Sequence, residues 1–340
     1  MEKDKINIAI LTEHRNSFRE PMSLGLSEML IRLGIKHTLF FEGLEDITYC
    51  RRPSIGTLFF YKLKKKILKE IRFLKFVFRL REFNIVVLVA HMPSVFYRDL
   101  YLVKRLRFFL KGAKMINYDL HYLGKDPESQ TLLIEGGHYG IDHFDGYLLG
   151  SINNLNENTL PNSYNRVVGF SFLYDTLLNS EIPAKENFVL IDFERKESHL
   201  KNLNNTNLLK QILINKGIEF LQLEGNYERE DLIRLFRRSK LFFMTSQESF
   251  GLSLIEAQLS GNYIFTPSLR WPMAHIDDDS RLTANFVVYE PEDIIGLEKL
   301  ILDKLATHET GTVINRINSL QDHFCKGEIG NLDEFLRNLD

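Results

Sequence analysis

The sequence predicts an α/β fold in two halves, each built on a parallel sheet flanked by helices. Three observations predict it. Short apolar runs of strand length alternate with longer segments of helical spacing, a pattern that implies parallel strands joined by helical crossovers. The alternation stops in a stretch rich in Asn, Ser and Pro at residues 151–165 and then restarts. The chain has 340 residues, long for one domain and ample for two.

In the first half, residues 6–11 read as a short buried strand. Residues 23–33 have helical apolar spacing through Leu24, Leu26, Met29, Leu30 and Leu33, and stop at Gly34, a C-terminal cap. Residues 37–41 read as the next strand and 58–81 as a long basic helix. A strand at 85–90, a helix at 95–110 and a strand at 114–118 follow. The Gly- and His-rich segment 132–142 fits no element, and 146–150 is the expected last strand of this half. Residues 151–165 read as a linker. In the second half the expected strands are 188–193, 219–223, 240–245 and 263–266. The expected helices are 208–215 (ending at Gly217), 229–238, 252–259 and 292–307, with one more near the end.

The expected domains are therefore 1–160 and 166–325, with 326–340 as a C-terminal helix packing back on the first. Both are Rossmann-like. Two such domains facing each other across a cleft would bind ligands at the carboxyl ends of their strands.

Composition excludes several classes. With 44% hydrophobic and 26% charged residues the chain is that of a soluble globular protein. The two cysteines, Cys50 and Cys325, offer neither a disulfide framework nor metal-ligand spacing, which points to a reducing cytosol. The opening Met-Glu-Lys-Asp-Lys runs into a strand-like stretch without a signal-peptide apolar region, and no window of about 18 apolar residues predicts a membrane span. The net charge of −2 hides an asymmetry: between Arg51 and Lys114, 17 Lys/Arg face 3 Asp/Glu, a local balance of +14. Such segregation suggests an anionic partner: lipid headgroups, nucleic acid or a phosphorylated substrate.

The chemistry concentrates between Phe242 and Gly261. A buried strand ends at Thr245, a short loop with one glycine follows, and a helix begins near Leu252. Gly251 lets the backbone approach a ligand closely. Free N–H groups and the positive dipole end at the helix start suit a diphosphate. Glu248 precedes this nest. Glu256 lies about one turn into the helix, at the edge of an apolar stripe of Leu252, Ile255 and Leu259. Carboxylates flanking an anion nest repel phosphate but accept hydrogen bonds from hydroxyls on either side of it, sugar on one and ribose on the other. The plainer alternative is a surface loop with two solvated glutamates.

The run Ser246, Glu248, Ser249, Phe250, Gly251, Leu252, Glu256, Ala257 and Gly261 resembles the Glu-x7-Glu motif of retaining GT-B glycosyltransferases, especially family GT4. In that family the usual form is Ser-x-x-Glu-Gly-Phe-Gly-Leu-x-x-x-Glu-Ala-x-x-x-Gly. Here Ser246 is one residue nearer the glutamate and Ser249 replaces glycine. The lead-in from Gly225 to Leu241 is also similar, so the specific resemblance lies in the second half of the chain. It implies the GT-B fold and a metal-independent, retaining transfer of sugar from a nucleoside diphosphate, with no other cofactor and a UDP- or GDP-sugar as the expected donor. It further implies that Glu256 binds the donor ribose and Glu248 the sugar hydroxyls, with Ser249, Phe250, Gly251, Leu252 and Ser253 facing the phosphates. The acceptor would be a glycan or a lipid-linked molecule.

The family also carries a basic pair after the first strand of its second domain. Without a metal, only protein cations and N–H dipoles stabilise the departing diphosphate. Arg195 stands at that place, with Lys196 or Lys201 as its partner; the usual Gly-Arg is absent, and a solvated charged turn is the alternative. In the first domain the family's Gly-Gly pair is missing after the first strand, where His14 and Arg15 stand. Asp119 and His121 follow one strand and His91 another; Asp119 and His121 are the better candidates to orient the acceptor hydroxyl or the transferred sugar. The Asp-x-Asp pattern at 277–279 reads as a solvated loop, not a metal site. The basic helix from Lys62 to Arg81 interleaves Lys65, Lys66, Lys69, Arg72 and Arg79 with Ile67, Leu68, Ile71, Leu74, Phe76, Val77 and Phe78. It suits peripheral docking on an anionic membrane at its cytoplasmic face, or core packing with a solvated basic side. No motif for specific nucleic-acid recognition is present. The residues leave open a catalytically inactive GT-B-like module that binds nucleotide or membrane. An epimerase would need several acid/base groups around its sugar, and a phosphorylase a pyridoxal lysine on a much longer chain.

Overall fold

The computed structural model describes residues 5–12, 19–41, 59–89, 97–119, 144–149, 164–166, 177, 181, 183–193, 203–224, 227–245, 252–267, 285–308 and 328–339. The chain divides into two compact units, Met1–Leu173 with Gly327–Asp340, and Tyr174–Lys326.

The first unit holds strands β1 (Asn7–Leu11), β2 (Lys36–Phe40), β3 (Ile85–Val89), β4 (Lys114–Asp119), β5 (Gly146–Leu149) and β6 (Tyr164–Arg166) in one sheet of order β2-β1-β3-β4-β5-β6. Every pairing is parallel. β3, Ile-Val-Val-Leu-Val, is buried at every position because it is paired on both sides and covered on both faces, whereas the edge strand β2 alternates in exposure. The described helices of this unit are α1 (Arg19–Leu33), α2 (Phe59–Leu80), α3 (Tyr97–Phe109) and α8 (Glu328–Arg337). Phe73, Phe76, Val77 and Leu80 of α2 and Leu102, Val103 and Leu106 of α3 pack on Leu11, Val86, Leu88 and Met115 of the sheet. The C-terminal α8 packs against α1 and β6.

The second unit holds β7 (Glu186–Ile191), β8 (Glu219–Gln222), β9 (Ser239–Phe243), β10 (Tyr263–Thr266) and β11 (Phe286–Val288), again all parallel, in the order β11-β10-β9-β7-β8. Its described helices are α4 (Leu203–Asn215), α5 (Arg229–Arg238), α6 (Leu252–Leu259) and α7 (Ile294–Ala306). Alternate residues of each strand serve opposite faces. Val189, Ile191 and Phe243 join Leu209, Leu213, Leu297 and Ile301 of α4 and α7. Leu190, Phe242 and Ile264 join Phe236, Leu254 and Ala257 of α5 and α6. Helices on both faces make this a doubly wound sheet. The expectation of two Rossmann-like α/β domains with parallel sheets holds.

Gly34, Gly217 and Gly261 have φ of 70°, 63° and 78°, the left-handed conformation that glycine adopts without a Cβ penalty. At each, the next residue's N–H reaches back to close the helix: Ile35 to Leu30 O, Ile218 to Leu213 O and Asn262 to Ala257 O. Each helix thereby turns into its next strand within a few residues.

Three expectations need correction. β5 is not the last strand of its sheet: Tyr147, Leu148 and Leu149 pair with Tyr164, Asn165 and Arg166, so the end of the expected linker forms a sixth strand. β11 was not expected; three residues give too little periodicity, and pairing with β10 defines it. In α6 the residues that meet the sheet core are Leu254 and Ala257, and Ile255 and Leu259 are buried too, so the helix is covered almost all round instead of presenting one stripe. The segment 132–142, most of the expected linker, Cys50 and Cys325 lie outside the described residues.

Candidate functional site

In the second sheet the strand order reverses between β7 and β9. The chain leaves β7 toward α4 on one face and leaves β9 toward α6 on the other, and ligands of doubly wound folds bind where such departures diverge. Backbone bonds fix this edge. Asp192 N–H donates to Phe243 O (2.9 Å), Met244 N–H to Phe265 O (3.0 Å) and Leu223 N–H to Ile191 O (2.9 Å). Thr245 Oγ1 donates to Phe193 O, tying the residues just past β7 and β9 together. Asp192 is buried and its Oδ1 accepts from Phe193 N–H at 2.9 Å. Phe193 meets the ring of Tyr227 edge-on with centroids 5.9 Å apart.

Glu256 projects from α6, the helix that follows β9. Its side chain is 6% exposed and pairs with Arg229, whose Nε donates to Glu256 Oε1 at 3.0 Å from the first turn of α5; the arginine is 40% exposed. Burial holds the Glu256 carboxyl above its ordinary value, and the charge and hydrogen bond of Arg229 offset this only in part. A buried carboxylate held by one guanidinium keeps lone pairs for further donors such as a diol, and is fixed in orientation by its partner. Ser253 lies in the first turn of the same helix, half-buried.

The other residues singled out in sequence fall as follows. Leu252 opens α6, and its side chain is outside the description. Glu248, Ser249, Phe250 and Gly251, between β9 and α6, lie outside the described residues, as do Arg195, Lys196 and Lys201, between β7 and α4. In chain order both stretches follow the two strands that flank the switch point. His14, Arg15, His91, His121 and Asp277, Asp278 and Asp279 are likewise outside. Among the described residues, no group of three or more His, Cys, Asp or Glu gathers as a metal site would need.

In the first unit the order reverses between β1 and β3. Asp119 is the last residue of β4, with its side chain outside the description. Its neighbour Tyr118 is fully buried, and its hydroxyl is pushed well above its usual range, first by burial and then by the negative charge of Glu328, itself buried at the start of α8. The C-terminal helix thus brings a carboxylate into the electrostatic surroundings of β4.

The amino ends of the second sheet carry a separate polar cluster. Lys185 Nζ donates to Phe236 O (2.9 Å) and Ser239 O (2.6 Å), and Asn262 Nδ2 reaches the same Ser239 O at 2.7 Å. Burial, aided by the charge of Arg237, lowers the Lys185 ammonium from 10.5 to about 7. His308 bonds Gly261 O at 2.9 Å, and burial lowers it too. These groups stand at the amino ends of the strands, opposite the carboxyl ends where Asp192 and Thr245 lie.

Arg229 was not among the site residues expected from the sequence. One signal was present: a cation at the start of a helix opposes the helix dipole and calls for an anionic partner. That this partner is Glu256, 27 residues away, required the fold.

No protein-family model matches the sequence, and no curated protein matches it. Among solved structures, the chain is similar to a UDP-N-acetylglucosamine 2-epimerase from Rickettsia bellii, at 12% identity and a TM-score of 0.55, over 98% of this chain and 97% of the other. It is also similar to an O-GlcNAc transferase variant from Thermobaculum terrenum, at 12% identity and a TM-score of 0.54, over 98% of this chain and 67% of the other. At these identities the similarity establishes the architecture, two Rossmann-like α/β domains of the GT-B type.

Proposed function

We propose that the protein is a glycosyltransferase that moves a sugar from a nucleoside-diphosphate sugar, UDP- or GDP-linked, to a glycan or lipid-linked acceptor with retention of configuration. The observation that carries the reading is the buried Glu256 carboxylate held by Arg229 on the helix after β9. A carboxylate in that position accepts both hydroxyls of a ribose, and Arg229 offsets part of the burial that disfavours its charge. The similarity to solved structures that include an O-GlcNAc transferase and a UDP-N-acetylglucosamine 2-epimerase supports a nucleotide sugar as the ligand.

In this reading the N–H groups of residues 249–253 take the diphosphate at the positive end of α6. Glu248 binds hydroxyls of the transferred sugar. Arg195, with Lys196 or Lys201, balances the charge that develops as the sugar–phosphate bond breaks, so transfer proceeds without a divalent metal. Asp119 and His121 orient the acceptor hydroxyl. A sugar 2-epimerase is the second reading that the Rickettsia similarity brings forward, and it differs in its product: the nucleotide sugar remains intact.

The test is release of nucleoside diphosphate from a panel of UDP- and GDP-sugars, with a pooled glycan and lipid acceptor, in EDTA. Release that continues in EDTA and drops at least tenfold in Glu248→Gln is expected. Conversion of the donor into its epimer without release identifies the epimerase. No turnover with or without magnesium leaves an inactive nucleotide-binding module.

A further inference from the structure

Helix α2 has two apolar faces. One, with Phe73, Phe76, Val77 and Leu80, is buried on the sheet. The other is a stripe of Ile67, Ile71, Leu74 and Phe78, spaced four, three and four residues apart and so aligned along one side of the helix. These four side chains are 44% to 71% exposed, Phe78 the most. A single exposed leucine is ordinary; four aligned on one helix are not.

The stripe continues onto the neighbouring helix. Glu70, on the flank of the stripe, accepts from both terminal guanidinium nitrogens of Arg105 of α3, and Arg105 stacks on Phe73 at 3.6 Å. α3 therefore lies along that flank, and its own outer side exposes Tyr101 and Phe108, with Lys111 over the Phe108 ring at 5.7 Å. On the other flank of the stripe stand Arg72, Lys75 and Arg79, all exposed. Across Phe59–Leu80 the sequence carries eight Lys/Arg and one acidic residue, Glu70, already neutralised by Arg105.

We propose that the outer face of α2 and α3 is a docking surface for an anionic lipid bilayer, lying in the headgroup region with the Ile67–Phe78 stripe inserted among the acyl chains. Charge and polarity select this occupant. A second copy of the chain would set the same basic flank against itself, at a repulsive cost. A bilayer supplies continuous negative charge for Arg72 and Lys75 and an apolar layer at the depth of the stripe. No helix among the described residues is long and apolar enough to cross a membrane, so the contact is one of the surface. The surface stands independently of the donor site, and its test reads lipid binding alone.

The test is co-sedimentation of the full chain with phosphatidylcholine vesicles and with vesicles carrying about a third phosphatidylglycerol, at low and high salt. Binding to the anionic vesicles, weakened by salt and absent from the neutral ones, is expected. Leu74→Ser/Phe78→Ser, both at exposed positions, reduces it at least tenfold. Arg72→Gln and Lys75→Gln reduce it about fivefold each, since one basic residue near an anionic surface contributes on that scale. All variants keep the wild-type circular dichroism. Failure to bind anionic vesicles, equal binding to neutral ones, or wild-type binding by Leu74→Ser/Phe78→Ser overturns the proposal. Self-association on light scattering that disappears in Leu74→Ser/Phe78→Ser, with no vesicle binding, overturns it in favour of a second copy.

Discussion

The two units share one strand order and differ in what their helices do with it. Read from the edge, the first sheet runs β2-β1-β3-β4-β5 before its extra β6, and the second runs β8-β7-β9-β10-β11, the same winding. In the first, α2 turns an apolar and basic face outward. In the second, α6 is covered almost all round and holds a buried carboxylate bound to an arginine from α5. Topology repeated twice has produced an outward surface in one unit and an inward polar site in the other. The function is carried by side chains placed on the scaffold, not by the scaffold.

The largest expected effect comes from breaking one core. Phe243 and Phe265 stack with centroids 4.3 Å apart in the second unit. Phe265→Ala should cost about 3–5 kcal/mol, as aromatic truncations in a packed core do. Hydrogen exchange should show protection lost in β7, β9 and β10 while β1, β3 and β4 retain theirs.

A smaller effect is a pH dependence specific to the second unit. Lys185 titrates at about 7 when folded and at 10.5 as an ordinary lysine. Between these values the unfolded chain holds a proton that the folded one lacks, so stability rises with pH from about 7 upward, and below it the full cost of the buried charge is present. His308, also lowered, acts in the same direction at lower pH, gaining stability as pH rises toward 6.5. Lys185→Met should flatten the rise of Tm above about pH 7 in a denaturation series. In the first unit the described shifted group is Tyr118, raised above its ordinary value, so exchange protection there should stay level until the pH nears 10.

The smallest effect is at a helix end. Asp293 caps α7 by accepting from Gly296 N–H at 2.8 Å. Asp293→Ala should lower stability by about 1 kcal/mol in urea unfolding, with α7 fraying from its first turn.

Most elements were legible in the sequence. β3 is an apolar run of strand length, and Gly34 and Gly217 mark helix ends by a residue that suits a left-handed cap. β6 and β11 were not legible, because three residues such as Tyr-Asn-Arg carry no period and become strands only by pairing. The candidate site was legible as a motif of two carboxylates flanking a glycine. The depth of Glu256 was not, since a helix read as having one apolar stripe is packed on several sides, and the Arg229 contact joins residues that only the sheet order brings together. The outward stripe of α2 was visible as apolar residues among lysines; which of them face the core was decided by packing.

The central claim is that the second unit holds a nucleotide sugar through Glu256. The most direct measurement is titration calorimetry of UDP, GDP, ADP and CMP and their sugars into the wild type and Glu256→Gln, in EDTA. The account predicts binding by one nucleotide class without metal, weakened about ten- to a hundredfold in the variant by loss of charge-assisted hydrogen bonds, with Tm nearly unchanged because Arg229, 40% exposed, stays solvated. Equal affinity in Glu256→Gln, or no binding of any nucleotide by the wild type, would contradict it.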